Sequence, residues 1–295
     1  MLHIEDLAKL WEAHGTKAPV QVREFSLRGT KFDFNSRPSI MGVINLSPDS
    51  WYRESVCLGT EQAIQRGHVL AAQGAEIIDI GAESTLAQAT RADVDLQKSK
   101  LLPVVKTLAA HGLLISVETY QPAVARACLE AGAAVLNLTG TIETEEAYRI
   151  VADHQAAVII CYVQGANVRQ VGNFSFEKDL IEQMYDFFAR ETEKANKAGV
   201  SGIFIDPGLG FYYANLQDSA KRIRHQMSVF LHAFRLRSIG FPICNALPHA
   251  FEFFGEEVRA AEPFFAVLAA LGRTDLFRTH EVPKVRAVLD TLGVF

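Results

Sequence analysis

Polar side chains close short apolar runs at intervals along this 295-residue chain. Asn45 ends residues 39–45, Asp79 sits within 76–81, Glu118 ends 113–118 and Asn137 ends 133–137. Asp206 ends 202–206, Asn245 lies within 242–246, and Arg278 and His280 close 275–280. Carboxylates accept paired N–H donors, and carboxamides both donate and accept. Such a set suits a flat heterocycle with several N–H groups along one edge, for which a 2-amino-4-oxo ring is the simplest candidate. Arg278 and His280 form a cationic pair suited to phosphate or another anion. For Asn45 and Asp79 a bracing role in a turn stays open beside a ligand role. For the cationic pair, a salt bridge to Glu281 or Glu83 stays open too.

These residues share one opening only if the apolar runs are neighbouring strands. With a further run at 156–162 there are eight, separated by amphipathic stretches at 60–74, 95–111, 121–131, 143–154, 176–198, 215–238, 257–271 and 281–292. Near-continuous apolar runs mark buried parallel strands, and eight successive strand–helix units close into a (β/α)8 barrel, an α/β TIM-barrel fold. Gly74, Gly112, Gly132, Gly199, Gly240 and Gly272 each follow a helix and suit left-handed C-caps. Ahead of the barrel, residues 20–34 alternate around Arg28-Gly29-Thr30, an N-terminal β-hairpin able to plug the barrel floor. The expected organisation is a helical extension over 1–19 and a barrel over 20–295.

Composition narrows the function. Hydrophobic residues make up 49% and charged residues 21%, ample for one large core. A formal charge of -5 has the wrong sign for a protein that coats nucleic acid. No run is long enough to span a membrane, and the charged opening lacks a signal peptide's apolar stretch, so a cytoplasmic protein is expected. Cys57, Cys128, Cys161 and Cys244 are far apart and read as buried free thiols. Neither HExxH nor clustered His and Cys marks a zinc site. Magnesium held by an Asn45 oxygen and substrate phosphates fits the hard-oxygen preference of that ion.

Several segments resemble the signatures of dihydropteroate synthase. They are Met41-Gly-Val-Ile-Asn-Leu-Ser-Pro-Asp-Ser-Trp51, Gly74-Ala-Glu-Ile-Ile-Asp-Ile-Gly-Ala-Glu-Ser-Thr85, Ile115-Ser-Val-Glu-Thr-Tyr120, Ala131-Gly-Ala-Ala-Val-Leu-Asn137 and Ile205-Asp-Pro-Gly-Leu-Gly-Phe211. The resemblance implies a transferase of folate biosynthesis that joins a dihydropterin methyl diphosphate to p-aminobenzoate or another aryl amine, releasing pyrophosphate with Mg2+ on the diphosphate. It puts Glu118, Asn137, Asp206 and Phe211 at the pterin, and Asn245 resembles the asparagine that a sister group, the methyltetrahydrofolate-binding methyltransferases, turns towards the pterin. Asn45, Thr85, Arg278 and His280 fall at the diphosphate, with Asn45 also at the metal. Arg278, His280 and His249 are the expected catalytic groups, and a homodimer is implied, with Phe264, Phe265 and Leu268 on the helix over 257–271 as interface or core.

The chain departs from that pattern at four places. Glu118 stands for the family's aspartate, Leu86 for an arginine, and Tyr52-Arg53-Glu54-Ser55 for Ser-Asp-Gly-Gly. Asn245-Ala-Leu-Pro-His-Ala-Phe251 stands for Ser-Arg-Lys-Ser, leaving His249 or Ala250 at the lysine. Two other readings follow: a methyltetrahydrofolate-binding methyltransferase, suggested by Asn245, and a non-catalytic pterin-binding paralogue, suggested by the lost cations.

Overall fold

The computed structural model describes residues 1–49, 55–84, 91–174, 179–211, 213–216 and 218–295. After helix α1 (Ile4–His14), β1 (Phe25–Leu27) and β2 (Thr30–Phe32) pair antiparallel. Arg28 and Gly29 at the turn have φ of 48° and 88°, the positive pair of a tight hairpin whose twist matches its strands. Then come β3 (Ser39–Asn45), α2 (Thr60–Ala72), β4 (Ile77–Gly81), α3 (Val94–Ala110), β5 (Ile115–Thr119) and α4 (Pro122–Glu130). Next are β6 (Val135–Leu138), α5 (Thr144–Asp153), β7 (Ala157–Cys161), α6 (Leu180–Lys197), β8 (Gly202–Asp206) and α7 (Ser219–His232). The chain ends with β9 (Cys244–Ala246), α8 (Phe251–Phe254), α9 (Ala261–Leu271), β10 (Leu276–Thr279) and α10 (Val282–Leu292).

Strands β3 to β8 pair in chain order, β10 pairs with both β3 and β9, and every pairing is parallel. A parallel bridge between Ile205 and Ile243 joins β8 to β9 and closes the ring. The expected (β/α)8 barrel is present, with helices shielding the outer faces of strands whose residues are nearly all buried. The hairpin plugs its floor. Phe25 and Phe34 meet the inward Phe204 at ring centroids 5.1 and 5.3 Å away, both edge-on, and Phe32 stacks on Phe34. Filling the amino end of the barrel leaves the carboxyl end as the open one, which is where the polar strand-end residues lie.

Five of the six capping glycines adopt the left-handed conformation, with φ from 81° to 110°. Gly272 does not. Its φ is -83°, and the left-handed residue is Arg273 at 60°. Gly272 is required for another reason: a Cβ there would overlap the Phe230 carbonyl oxygen, so the α7 backbone approaches too closely for any side chain. The long helix expected over 215–238 is Ser219–His232 followed by tighter 3-10 turns to Ile239, and Asp218 and Asp179 cap α7 and α6 by accepting backbone N–H bonds. All four cysteines are free and buried. Phe265 and Leu268 face the core, while Phe264 is exposed. Among the described residues no helix is long and apolar enough to cross a membrane.

Candidate active site

Strand alternation and parallel register together decide which polar residues meet. Gly81 pairs with both Asn45 and Glu118, Glu118 pairs with Asn137, and Cys161 pairs with Asp206. Asn45, Glu118, Asn137, Asp206 and Arg278 therefore point into the barrel mouth, where they line one pocket with Phe211, His249 and His280. Eight of the ten residues expected at the site share this pocket. Thr85 lies outside the described residues, as do Arg53 and Leu86.

Asn245 is the exception. It pairs with Phe277, one position off the inward Ala246–Arg278 pair, so it points out of the barrel into the helical layer. There its Nδ2 donates to Thr274 Oγ1 at 2.7 Å, and it is fully buried. The pterin contact expected of Asn245 is corrected, because a period of two puts adjacent strand residues on opposite faces.

The floor is an ionic network. Asp79, fully buried, accepts from Ser116 Oγ (2.6 Å), Asn137 Nδ2 (3.2 Å) and Arg278 Nε (2.7 Å), so it braces the site from beneath. Arg278 Nη2 donates to Glu118 Oε2 at 2.6 Å. Burial works against the guanidinium charge, but Asp79 and Glu118 outweigh it and raise its pKa. Arg278 lines the same pocket as His280, and its Nε and Nη2 are held by two carboxylates of the floor. Asn137 is oriented from both ends, since Cys161 Sγ donates to its Oδ1 at 3.4 Å.

Two pocket carboxyls sit near neutrality. Burial pushes Glu118 up to about 7, with Arg278 opposing and Asp79, Asp206 and Glu83 adding repulsion. Burial likewise pushes Asp206 up to about 6, against the Gly208 N–H, which donates to its Oδ1 at 2.7 Å, and the charge of Arg278. Each can thus be ionised, as an acceptor of paired N–H groups, or protonated, as a donor.

The rim is organised by a residue that sequence reading missed. Glu262 on α9 is fully buried, and its Oε2 accepts from the Thr279 hydroxyl, His280 N (2.8 Å) and Glu281 N (3.1 Å). Its Oε1 takes His280 Nδ1 at 2.7 Å. Burial would raise this carboxyl, yet its contacts, above all with His280, hold it down at about 2. An ionised carboxylate only accepts, so Nδ1 carries the proton and Nε2 faces Asn45, whose Nδ2 lies 3.4 Å away. Asn45 Nδ2 also donates to Ser55 Oγ at 2.6 Å. The available signal was one acid in the otherwise apolar Ala261–Leu271.

His249 faces the same rim, 3.8 Å from Glu262 Oε1, while Ala250 is buried. Desolvation, above the opposing charge of Glu262, pushes His249 down to about 4, so its imidazole is neutral at pH 7 and supplies no cation. His249, Glu262 and His280 are close enough to share a metal ion. Two donors on one tetrahedral ion stand roughly 3.3 Å apart. The 2.7 Å between Glu262 and His280 is a hydrogen bond instead. A second unforeseen residue, Arg169 on the segment after β7, donates to the Ser84 carbonyl at 2.9 Å and lies 3.9 Å from Glu83, bringing a cation to the β4 end.

Comparison with known proteins gives the family. The pterin binding enzyme family matches residues 41–247, most of the barrel. The chain belongs to that family. Dihydropteroate synthase of Mycobacterium leprae is 30% identical over 86% of this chain and 91% of its own. That of Synechocystis is 29% identical over 86% and 88%. The structure of Xanthomonas albilineans dihydropteroate synthase with 4-aminobenzoic acid superposes with a TM-score of 0.76 at 27% identity, covering 93% of this chain and 98% of that one. The pterin-binding match ends before β10, so the Glu262–His280 pair and Arg278 are located by the structure and not by the family span.

Proposed function

We propose that this chain is a dihydropteroate synthase-like transferase, joining a dihydropterin methyl diphosphate to an aryl amine such as p-aminobenzoate and releasing pyrophosphate. The observation that carries the reading is one pocket with a carboxyl-rich floor, built on Asp206, Glu118 and Asn137, and a histidine-bearing rim at His280 and Asn45. Ionised Asp206 accepts the amino and ring N–H fork of the pterin, and Asn137 is held ready to donate along the same edge. The diphosphate lies towards the rim formed by Asn45 and His280, whose ring is held by Glu262 through Nδ1.

Breaking the C–O bond sends its electron pair to pyrophosphate, and the pterin ring delocalises the charge left on the methylene. The amine lone pair closes the new C–N bond, and its proton leaves to solvent. No side-chain nucleophile is required. Asn45 offers a hard oxygen for Mg2+, since its Nδ2 is committed to Ser55 and His280 while its Oδ1 sits over Gly81. When bound with the diphosphate, the ion would neutralise charge on the leaving group.

Neutral His249 favours a second reading, pterin binding without turnover, because no ammonium stands at the end of β9. The methyltransferase reading loses its support with Asn245. We take the protein to be a homodimer through α9, where Phe264 and Leu271 are exposed, and cytoplasmic, in keeping with four free thiols. The decisive experiment supplies the pterin diphosphate, Mg2+ and p-aminobenzoate and measures pyrophosphate. Release that requires the amine is expected; saturable pterin binding with no release selects the second reading.

A further inference from the structure

Beyond the floor and rim, the pocket has a third end whose chemistry nothing above uses. Arg222 and Gln226, one turn apart on α7, both line the pocket beside Phe211, Leu209 and Pro248. The four-residue spacing stacks them on one helix face. Gln226 is 4% exposed, and its Nε2 donates to the Leu209 carbonyl at 3.0 Å, which orients the amide. Its Oε1 is buried and has no hydrogen-bond partner among the described residues. A buried acceptor left unpaired is costly, and a ligand N–H or O–H removes the cost. Arg222 meets Glu252 through Nη2 alone, at 2.7 and 2.8 Å, and Glu252 is itself half exposed and screened by water. Nε and Nη1 of Arg222 have no partner among the described residues, so the guanidinium keeps an edge for a second anion.

We propose that Arg222 and Gln226 read the second substrate: Arg222 pairs with its carboxylate, and Gln226 Oε1 accepts a hydrogen bond from an N–H beside that carboxylate. The class this selects is an aromatic amine linked through an amide to a carboxylate, as in an N-acylated amino acid, with the ring against Phe211. A simple aminobenzoate fills only the Arg222 half. The assignment rests on the transferase reading for its chemistry, but binding alone tests it.

Calorimetry on the full chain compares 4-aminobenzoate, 4-aminobenzoylglycine and N-methylated 4-aminobenzoylglycine, with a separate titration of a pterin. Wild-type protein is expected to bind aminobenzoylglycine about tenfold more tightly than its N-methyl form. Gln226→Leu should erase that difference, and Arg222→Met should weaken all three carboxylates by about tenfold or more while the N–H preference survives. Equal affinity for the two acylglycines in wild-type protein overturns the proposal without recourse to any variant. A preference that persists in Gln226→Leu overturns it as well. Pterin binding without an N–H preference removes this inference and leaves the transferase reading standing. An N–H preference without pterin binding keeps the subsite and removes that reading.

Discussion

Replacing Glu262 probes the one buried carboxylate that holds both the β10 end and His280. Its pKa of about 2 lies some 2.5 units below the ordinary 4.5. At 1.36 kcal/mol per unit, the folded state favours its ionised form by about 3 kcal/mol. Glu262→Ala also leaves the Thr279 hydroxyl and the N–H groups of His280 and Glu281 without their acceptor. The combined loss is about 4 kcal/mol, within the range for breaking one side of a buried charge pair. Against a total stability of about 5–15 kcal/mol, that should be plain in urea unfolding, as a lower midpoint at unchanged slope. Glu262→Gln should cost about half as much, because the amide oxygen can keep the three donors while its NH2 faces His280 Nδ1. The imidazole then switches tautomer and turns Nε2–H to the pocket, a change that 15N chemical shifts of His280 report. In wild-type protein the depressed pKa gives stability that is present above about 4.5 and disappears as pH falls towards 2; the Gln variant lacks that segment of the acid limb. A loss below about 1 kcal/mol for Glu262→Ala would refute the reasoning, because the four bonds would then carry no net energy.

Other outcomes follow from the same geometry. Pterin affinity should rise with pH through about 6 for Asp206 and about 7 for Glu118 and level off above, since only the ionised carboxylate accepts the N–H fork; a flat calorimetric profile from pH 5 to 8 contradicts this. Asp206→Asn should weaken pterin binding by about 100-fold, the loss of a charge-assisted pair of bonds, with little change in melting temperature. Asn245→Ala should cost about 1 kcal/mol of stability through the lost bond to Thr274 and leave pterin affinity unchanged; weaker binding would restore it to the site. Phe34→Ala should cost about 3–5 kcal/mol by emptying the floor plug between Phe25, Phe32 and Phe204, again with pterin affinity kept once folded.

The fold was legible because its signals are local. Eight apolar runs, helices ending at glycine and the Arg28-Gly29 turn each depend on a few neighbouring residues, and all reappear in the barrel and its plug. Most residues of the candidate pocket were legible for a related reason: polar side chains that close successive parallel strands meet at one end of the barrel, as Asn45, Glu118, Asn137 and Asp206 do. Asn245 misled because a run as short as Cys244–Ala246 does not reveal which of its faces looks inward. Only pairing with β10, in register with Arg278 and Phe277, settles that.

What the amino-acid sequence determined by itself is the architecture, the family signatures and most of the polar groups that line the barrel mouth. Tertiary structure decided who partners whom. Arg278 is drawn into the floor by carboxylates 199 and 160 residues away, and Glu262 reaches His280 from another helix. Burial pushes His249 further down, to about 4, and brings Asp206 and Glu118 up to about 6 and 7. Charge state depends on desolvation and on neighbours within a few ångströms, and neither exists until the chain has closed its barrel.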